Sequence, residues 1–426
     1  MRIRGLLFLI SLSALAMHTN ASNPCAPGAY RDNHQQVIVL SDRVDKPEAE
    51  LGYLMLDGRY GNTGSGGISF QCENNLLTVA AADSSPQHFT HVPLQRTSTT
   101  FTSVDALLVG ELIEPADNAN TTRPLVVMVQ GSERSAAIGN SRATLLAGMG
   151  ISVFVYDKRG TGKSEGLYTQ NFNLLAEDAA AALAQARKLA AGRFGRSGYW
   201  GASQGGWIAP LAATRAQVDF IVVGYGLVAS PIEEDLDQML LEAQQQHIDA
   251  KQIKQLHRLS NITAKILLSH FADGLQDLQR LRKEVGREAW FNSITGEYSG
   301  AMLRMNDADL RRLGPALFDN LELIWNYDSA AALKNLKLPL LWVIAQNDRE
   351  APIQRTLQKL TQLKHDNPAL QTYLFPNTDH GMYEYNELPD GSRKHTRVTD
   401  GYFSLVAGWI LQNDKPYAGQ ATLINQ

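Results

Sequence analysis

Five short apolar runs that do not alternate with polar residues constrain this chain most. They are Leu125-Val-Val-Met-Val129, Ile151-Ser-Val-Phe-Val-Tyr156, Phe220-Ile-Val-Val223, Leu338 to Ala345 and Leu370-Gln-Thr-Tyr-Leu-Phe375. A strand that shows one face to water alternates, whereas an unbroken apolar strand must be covered on both faces. Helical stretches lie between the runs, Leu174 to Ala191 and Ile353 to Leu363 among them. Alternating strands and helices of this kind predict an α/β fold with a doubly wound, mostly parallel sheet. One gap is too long for a simple connection. Between Val223 and Leu338 the apolar spacing turns helical (Leu236/Leu240/Ala243, Ile253/Leu256/Leu259/Ile262, Leu275/Leu278/Leu281/Val285). This predicts a helical insertion over 231–326, capping the ligand end of a core made of 98–230 and 327–426.

The first hundred residues differ. Residues 22–97 are rich in Gly, Asn, Ser and Thr, with short β-type runs (Gln36 to Leu40, Asn75 to Val79) between turn clusters, which predicts a small β-rich extension. Before it, Arg2 and Arg4 precede the apolar stretch Gly5 to Met17 and then small residues. That stretch is too short to span a bilayer and has the pattern of a secretory signal peptide over 1–21. Cleavage is expected after Ala21, with Ala16 as the alternative. Export to the periplasm or beyond follows, and it makes a disulfide between the two cysteines, Cys25 and Cys72, the expected state. Two unpaired thiols are the other reading.

Composition excludes more than it proposes. With 44% apolar and 19% charged residues, the 426-residue chain can bury a large core. Its 39 basic against 43 acidic residues leave a net charge of −4, without the basic excess that phosphate binding needs. No nucleic-acid partner and no stable membrane insertion are expected. Oligomeric state is not legible.

Gly201-Ala-Ser-Gln-Gly205 carries the chemistry. It follows the short β-type run Ser197 to Trp200 and precedes a helical stretch from Gln204 to Arg215. A serine on a sharp strand-to-helix turn projects its hydroxyl outward, and the residues two before and two after must lack a bulky side chain. Gly201 and Gly205 meet that need. The N–H of Gln204, at the helix start, is placed to donate to an oxyanion.

With these residues in view, the chain over 98–426 resembles the α/β-hydrolase superfamily, and in particular secreted bacterial esterase-like serine hydrolases. Gln130-Gly-Ser132 stands where the family usually has His-Gly-x, which makes Ser132 the second oxyanion donor. Tyr156-Asp-Lys-Arg-Gly-Thr-Gly-Lys-Ser164 resembles the family's Asp-x-Arg-Gly-x-Gly-x-Ser turn. Two positions depart from the pattern: Gln130 replaces a His, and Ala202 replaces the His usual before the nucleophile.

In this fold the acid and the base follow the nucleophile in chain order, each at the end of a later strand. His380 directly follows the run Leu370 to Phe375, whereas His247, His257 and His270 fall in the insertion and His365 and His395 in polar stretches. Asp348 follows the run ending at Ala345 and is the expected orienting acid, with Glu350 its near rival. Asp379 adjoins His380, but consecutive side chains diverge, and Asp328 reads as a helix cap.

Other constellations imitate chemistry. Gly162-Lys-Ser164 lacks the earlier glycine of a phosphate loop, because position 157 is Asp. His88 and His91 lack a third ligand, so no metal is expected, and no cofactor. The combined expectation is an exported serine hydrolase, with Ser203, His380 and Asp348 as triad, acting on a small-molecule carboxylic ester. A peptidase or amidase on the same scaffold is the alternative, and a non-catalytic binding protein retaining the fold a more distant one.

Overall fold

The structure is a computed structural model that describes residues 25–43, 50–82, 84–116 and 122–424. The expected signal peptide, 1–21, lies outside the described residues.

A nine-stranded sheet organises the chain. Its order across the sheet is Thr422–Leu423, Leu370–Phe375, Leu340–Ala345, Phe220–Gly224, Phe194–Ala202, Arg123–Val129, Ser152–Tyr156, Ala106–Pro115 and Leu94–Ser103. The six strands from Leu370–Phe375 to Ser152–Tyr156 are mutually parallel, and antiparallel strands close both edges. This is the α/β-hydrolase fold. The unbroken apolar runs explain themselves here, because successive residues feed opposite cores. Leu125, Val127 and Val129 pack with the helix Phe172–Leu189, while Val126 packs with the helices Ser141–Gly148 and Tyr402–Ile410. At about 25 cal/mol per Å² of apolar area removed from water, burial on both faces is the dominant favourable term for such strands.

The N-terminal region is a seven-stranded antiparallel sheet running from Gly28–Arg31 to Gln87–Val92. One face encloses its own small core (Tyr30, Leu40, Leu77, Phe89), and Val37 and Val39 on the other join the core beneath Ser141–Gly148. Cys25 and Cys72 are disulfide-bonded, with Cα atoms 5.0 Å apart.

Five helices between Pro231 and Phe318 form a layer with a separate core that includes Met239, Leu259, Trp290 and Met302. Asp235, fully buried there, accepts from the backbone N–H of Tyr298 and Ser299 and from the Ser299 hydroxyl. Pro231 occupies the first turn of the first helix, and Ser230 and Glu233 cap it reciprocally. No helix among the described residues is long and apolar enough to cross a membrane. Around His380 the chain makes a three-stranded antiparallel sheet (Thr378–Asp379, Tyr383–Glu387, Arg393–Val398) for which the periodicity gives no prediction. Its strands carry charged side chains that mask alternation.

Candidate active site

The site grows from three strand ends on one edge of the parallel sheet, where α/β sheets bind ligands. Ser203 follows the strand Phe194–Ala202 and precedes the helix Gly205–Ala213. Its φ is +51°, a left-handed conformation that costs on the order of 1 kcal/mol or more for a residue with a side chain. Hydrogen bonds hold it there: Ser203 N–H donates to Gly224 O at 3.0 Å, and Gly206 N–H donates to Ser203 O at 2.7 Å. The two flanking glycines are sterically required. A Cβ on Gly201 would lie 2.2 Å from Gly205 O, and one on Gly205 2.3 Å from Val129 O.

His380 follows the strand Leu370–Phe375, and its Nε2 lies 3.1 Å from Ser203 Oγ. Its Nδ1 lies 2.8 Å from Oδ2 of Asp348, which follows Leu340–Ala345. Asp348 is 4% exposed, and its other oxygen accepts from the N–H groups of Glu350 and Ala351 at 3.0 and 2.7 Å. Those bonds fix which oxygen faces the imidazole. Burial works against the imidazolium, yet the charge and hydrogen bond of Asp348, followed by Glu350 and Asp379, outweigh it and raise the His380 pKa to about 9. The Tyr225 ring meets the imidazole edge-on at 5.0 Å, and its hydroxyl accepts from Arg142 at 3.0 Å. The ring therefore has little room to turn.

The rivals separate by geometry. Glu350 Oε1 lies 3.6 Å from His380 Nε2, on the serine side of the ring and away from Nδ1. The Asp379 side chain accepts from the N–H of His380 and Arg349 and pairs with Arg393 at 2.9 Å. Asp328 accepts from Ala331 N–H as the cap of a helix. The Asp157 to Ser164 segment is a structural turn. Asp157 accepts from the N–H groups of Ala137, Ile138 and Lys163, while Ser164 ties Asp157 O to Val109 N–H. Among the described residues no group of three or more His, Cys, Asp or Glu is arranged to hold a metal ion.

Ser203, Gln204 and Ser132 border one cavity of about 270 Å³ roofed by the helical layer. Trp207 and Trp325 line it as well, while Trp290 is buried in the helical core. Sequence reasoning missed two of its acids, Glu234 and Glu297. Glu234, Glu297 and Glu350 all line it, beside the Tyr298 hydroxyl, a buried group with no hydrogen-bond partner among the described residues. Burial, reinforced by Glu350 and Asp235, raises the Glu297 pKa to about 7, and burial pushes Glu234 well above the usual carboxylate range. No sequence signal separates Glu234 from Glu233. Both stand in a helix's first turn, where acids are favoured anyway, but Glu233 turns outward to Arg355 and Lys359.

Residues 120–282 match the family model described as serine aminopeptidase, S33. Solved structures similar to this chain include an esterase of Pyrococcus furiosus, at 14% identity over 68% of this chain and 84% of that one, with a TM-score of 0.43. An acylaminoacyl peptidase of Pyrococcus horikoshii is 15% identical over 92% of this chain and 56% of its own, with a TM-score of 0.45. An α/β hydrolase from a Penicillium species is 16% identical over 67% and 91%, with a TM-score of 0.42. No curated protein matches the chain. The strand order is that of an α/β-hydrolase fold, and over residues 120–282 the chain is similar to the serine aminopeptidase family.

Proposed function

We propose that this protein is an exported serine hydrolase that cleaves carboxylic esters through an acyl-enzyme intermediate. The observation that carries this reading is the unbroken line Ser203 Oγ, His380 Nε2 and Nδ1, Asp348 Oδ2, at 3.1 and 2.8 Å. Neutral His380 accepts the Ser203 proton as Oγ bonds to the ester carbonyl carbon, and Asp348 stabilises the imidazolium. The carbonyl oxygen becomes an oxyanion, held by the N–H groups of Gln204 and Ser132, each worth roughly 3 kcal/mol in comparable sites. Collapse breaks the bond to the alcohol oxygen, which takes the proton from His380. A water molecule, deprotonated by the same imidazole, then releases the acid and regenerates Ser203. Export is supported by the disulfide and by the sequence pattern at 1–21.

The test is Ser203→Ala, which removes Oγ without disturbing the elbow glycines. Turnover of p-nitrophenyl esters should vanish while folding persists, and a fluorophosphonate should label the unaltered protein once, on Ser203. A label on another serine, or activity within tenfold of the unaltered protein, overturns the reading.

The acid-lined cavity favours a second reading, a peptidase or amidase acting on substrates with a free amine. A protonated amine in the cavity would lie among Glu234, Glu297 and Glu350, with the unpartnered Tyr298 hydroxyl as a further acceptor. Aminoacyl-anilides run beside p-nitrophenyl esters of rising chain length decide between the two.

A further inference from the structure

Under the loop that carries Ser132 lies a buried cation. Lys158 is 3% exposed, and its Nζ donates to Gly131 O at 2.5 Å. The ammonium also stands 5.2 Å from the centroid of the Tyr168 ring. Among the described residues it makes no ion pair, and the charges acting on it are those of Glu133 and Arg134. Burial lowers its pKa to about 8, and the amine keeps a donor on either side of that titration. Burying an unpaired charge is expensive, so its retention calls for a function.

The loop above it is held at two consecutive carbonyls. Lys158 takes Gly131 O, and the Tyr168 hydroxyl donates to Ser132 O at 2.5 Å. A trans peptide is planar, with its C=O and N–H pointing opposite ways. A Gly131 carbonyl drawn down onto Lys158 therefore turns the Ser132 N–H the other way. The loop lies close against the nucleophile: a Cβ on Gly131 would sit 3.2 Å from Ser203 Cβ. A hydrogen bond to the carbonyl also polarises the peptide group and strengthens its N–H as a donor.

We propose that Lys158 is a positioning residue that aims and polarises the Ser132 N–H toward the oxyanion formed at Ser203, with Tyr168 holding the next carbonyl of the same loop. This rests on the serine hydrolase reading above.

Lys158→Met keeps the bulk and removes the donor. With p-nitrophenyl acetate its kcat should fall by about 10²-fold, the loss that follows removal of one oxyanion donor, while KM stays close to that of the unaltered protein. Inhibition by phenylboronic acid, whose Ser203 adduct carries the same anionic oxygen, should weaken by a similar factor. Lys158→Gln, which retains a terminal N–H, should recover part of both. An unchanged kcat in Lys158→Met, or a loss confined to KM, overturns the proposal. Failure of both variants to fold would make Lys158 a core residue and overturn it as well. Ser203→Ala, run in parallel, separates the two ideas. If it stays active, the serine reading fails. If it is inactive while Lys158→Met is fully active, only the role of Lys158 fails.

Discussion

Glu350 Oε1 lies 3.6 Å from Nε2 of His380, the ring nitrogen that faces Ser203 Oγ at 3.1 Å. A carboxylate there favours the protonated imidazole, which is the form unable to accept the serine proton. Glu350 is thus among the causes that raise the His380 pKa to about 9. Glu350→Gln should lower that pKa and increase the neutral fraction at pH 7. We expect kcat/KM at pH 7 to rise by roughly two- to fivefold, since half a pKa unit is a threefold change in population. A tenfold loss in kcat/KM would instead make Glu350 the working acid.

The pH profile of the unaltered protein follows from the same shift. Only neutral His380 can act as base, so activity should rise with pH and level off above about 9. At pH 7 about one imidazole in a hundred would then be neutral. Steady-state kcat/KM between pH 5 and 10 checks this. A limb centred on the ordinary histidine value near 6.5 would mean that the charges of Asp348 and Glu350 do not reach the ring as drawn.

Asp348→Asn should act in two directions at once. The amide favours the wrong imidazole tautomer, so plateau activity should fall by about 10⁴-fold. The carboxylate that holds the pKa up is also gone, so the remaining activity should titrate at lower pH than in the unaltered protein. Asp379→Asn should leave the plateau within tenfold, because that side chain serves Arg393 and the backbone and does not reach the ring nitrogens.

Glu297 provides a test of substrate charge. Its pKa of about 7 means it gains charge as pH rises through neutrality. For an ester whose acyl group carries an amine, KM should fall between pH 6 and 8, and Glu297→Gln should abolish that trend. For an uncharged ester, neither the pH change nor the substitution should move KM. Parallel KM measurements on the two esters are sufficient.

The disulfide should matter to stability and little to turnover. Cys25 and Cys72 are 47 residues apart, and in the chain-entropy model such a closure contributes up to about 4 kcal/mol. Cys25→Ser with Cys72→Ser should lower Tm, while kcat stays within twofold, because neither residue borders the cavity. A large fall in kcat at a temperature where the variant remains folded would tie the N-terminal sheet to the site.

Much of the fold and the core of the site were legible from local chain chemistry. Apolar runs too continuous for a half-wet strand required a covered parallel sheet. Two glycines around Ser203 announced a turn that only glycine can flank. Asp348 and His380 were nameable because each follows an apolar run, and the structure brings His380 to Ser203 and Asp348 to His380. The tertiary structure alone decided matters that depend on residues distant in the chain. Glu234 faces the cavity and Glu233 faces Arg355 because consecutive helical residues point about 100° apart, and only packing says which side is which. Lys158 lies in a turn whose sequence resembles a family pattern, but its contact with Gly131 spans 27 residues, with a helix and a strand between them. The elevated pKa of His380 is likewise a sum over Asp348, Glu350 and Asp379. Electrostatic energy depends on distance and burial, and neither quantity exists until the chain has folded.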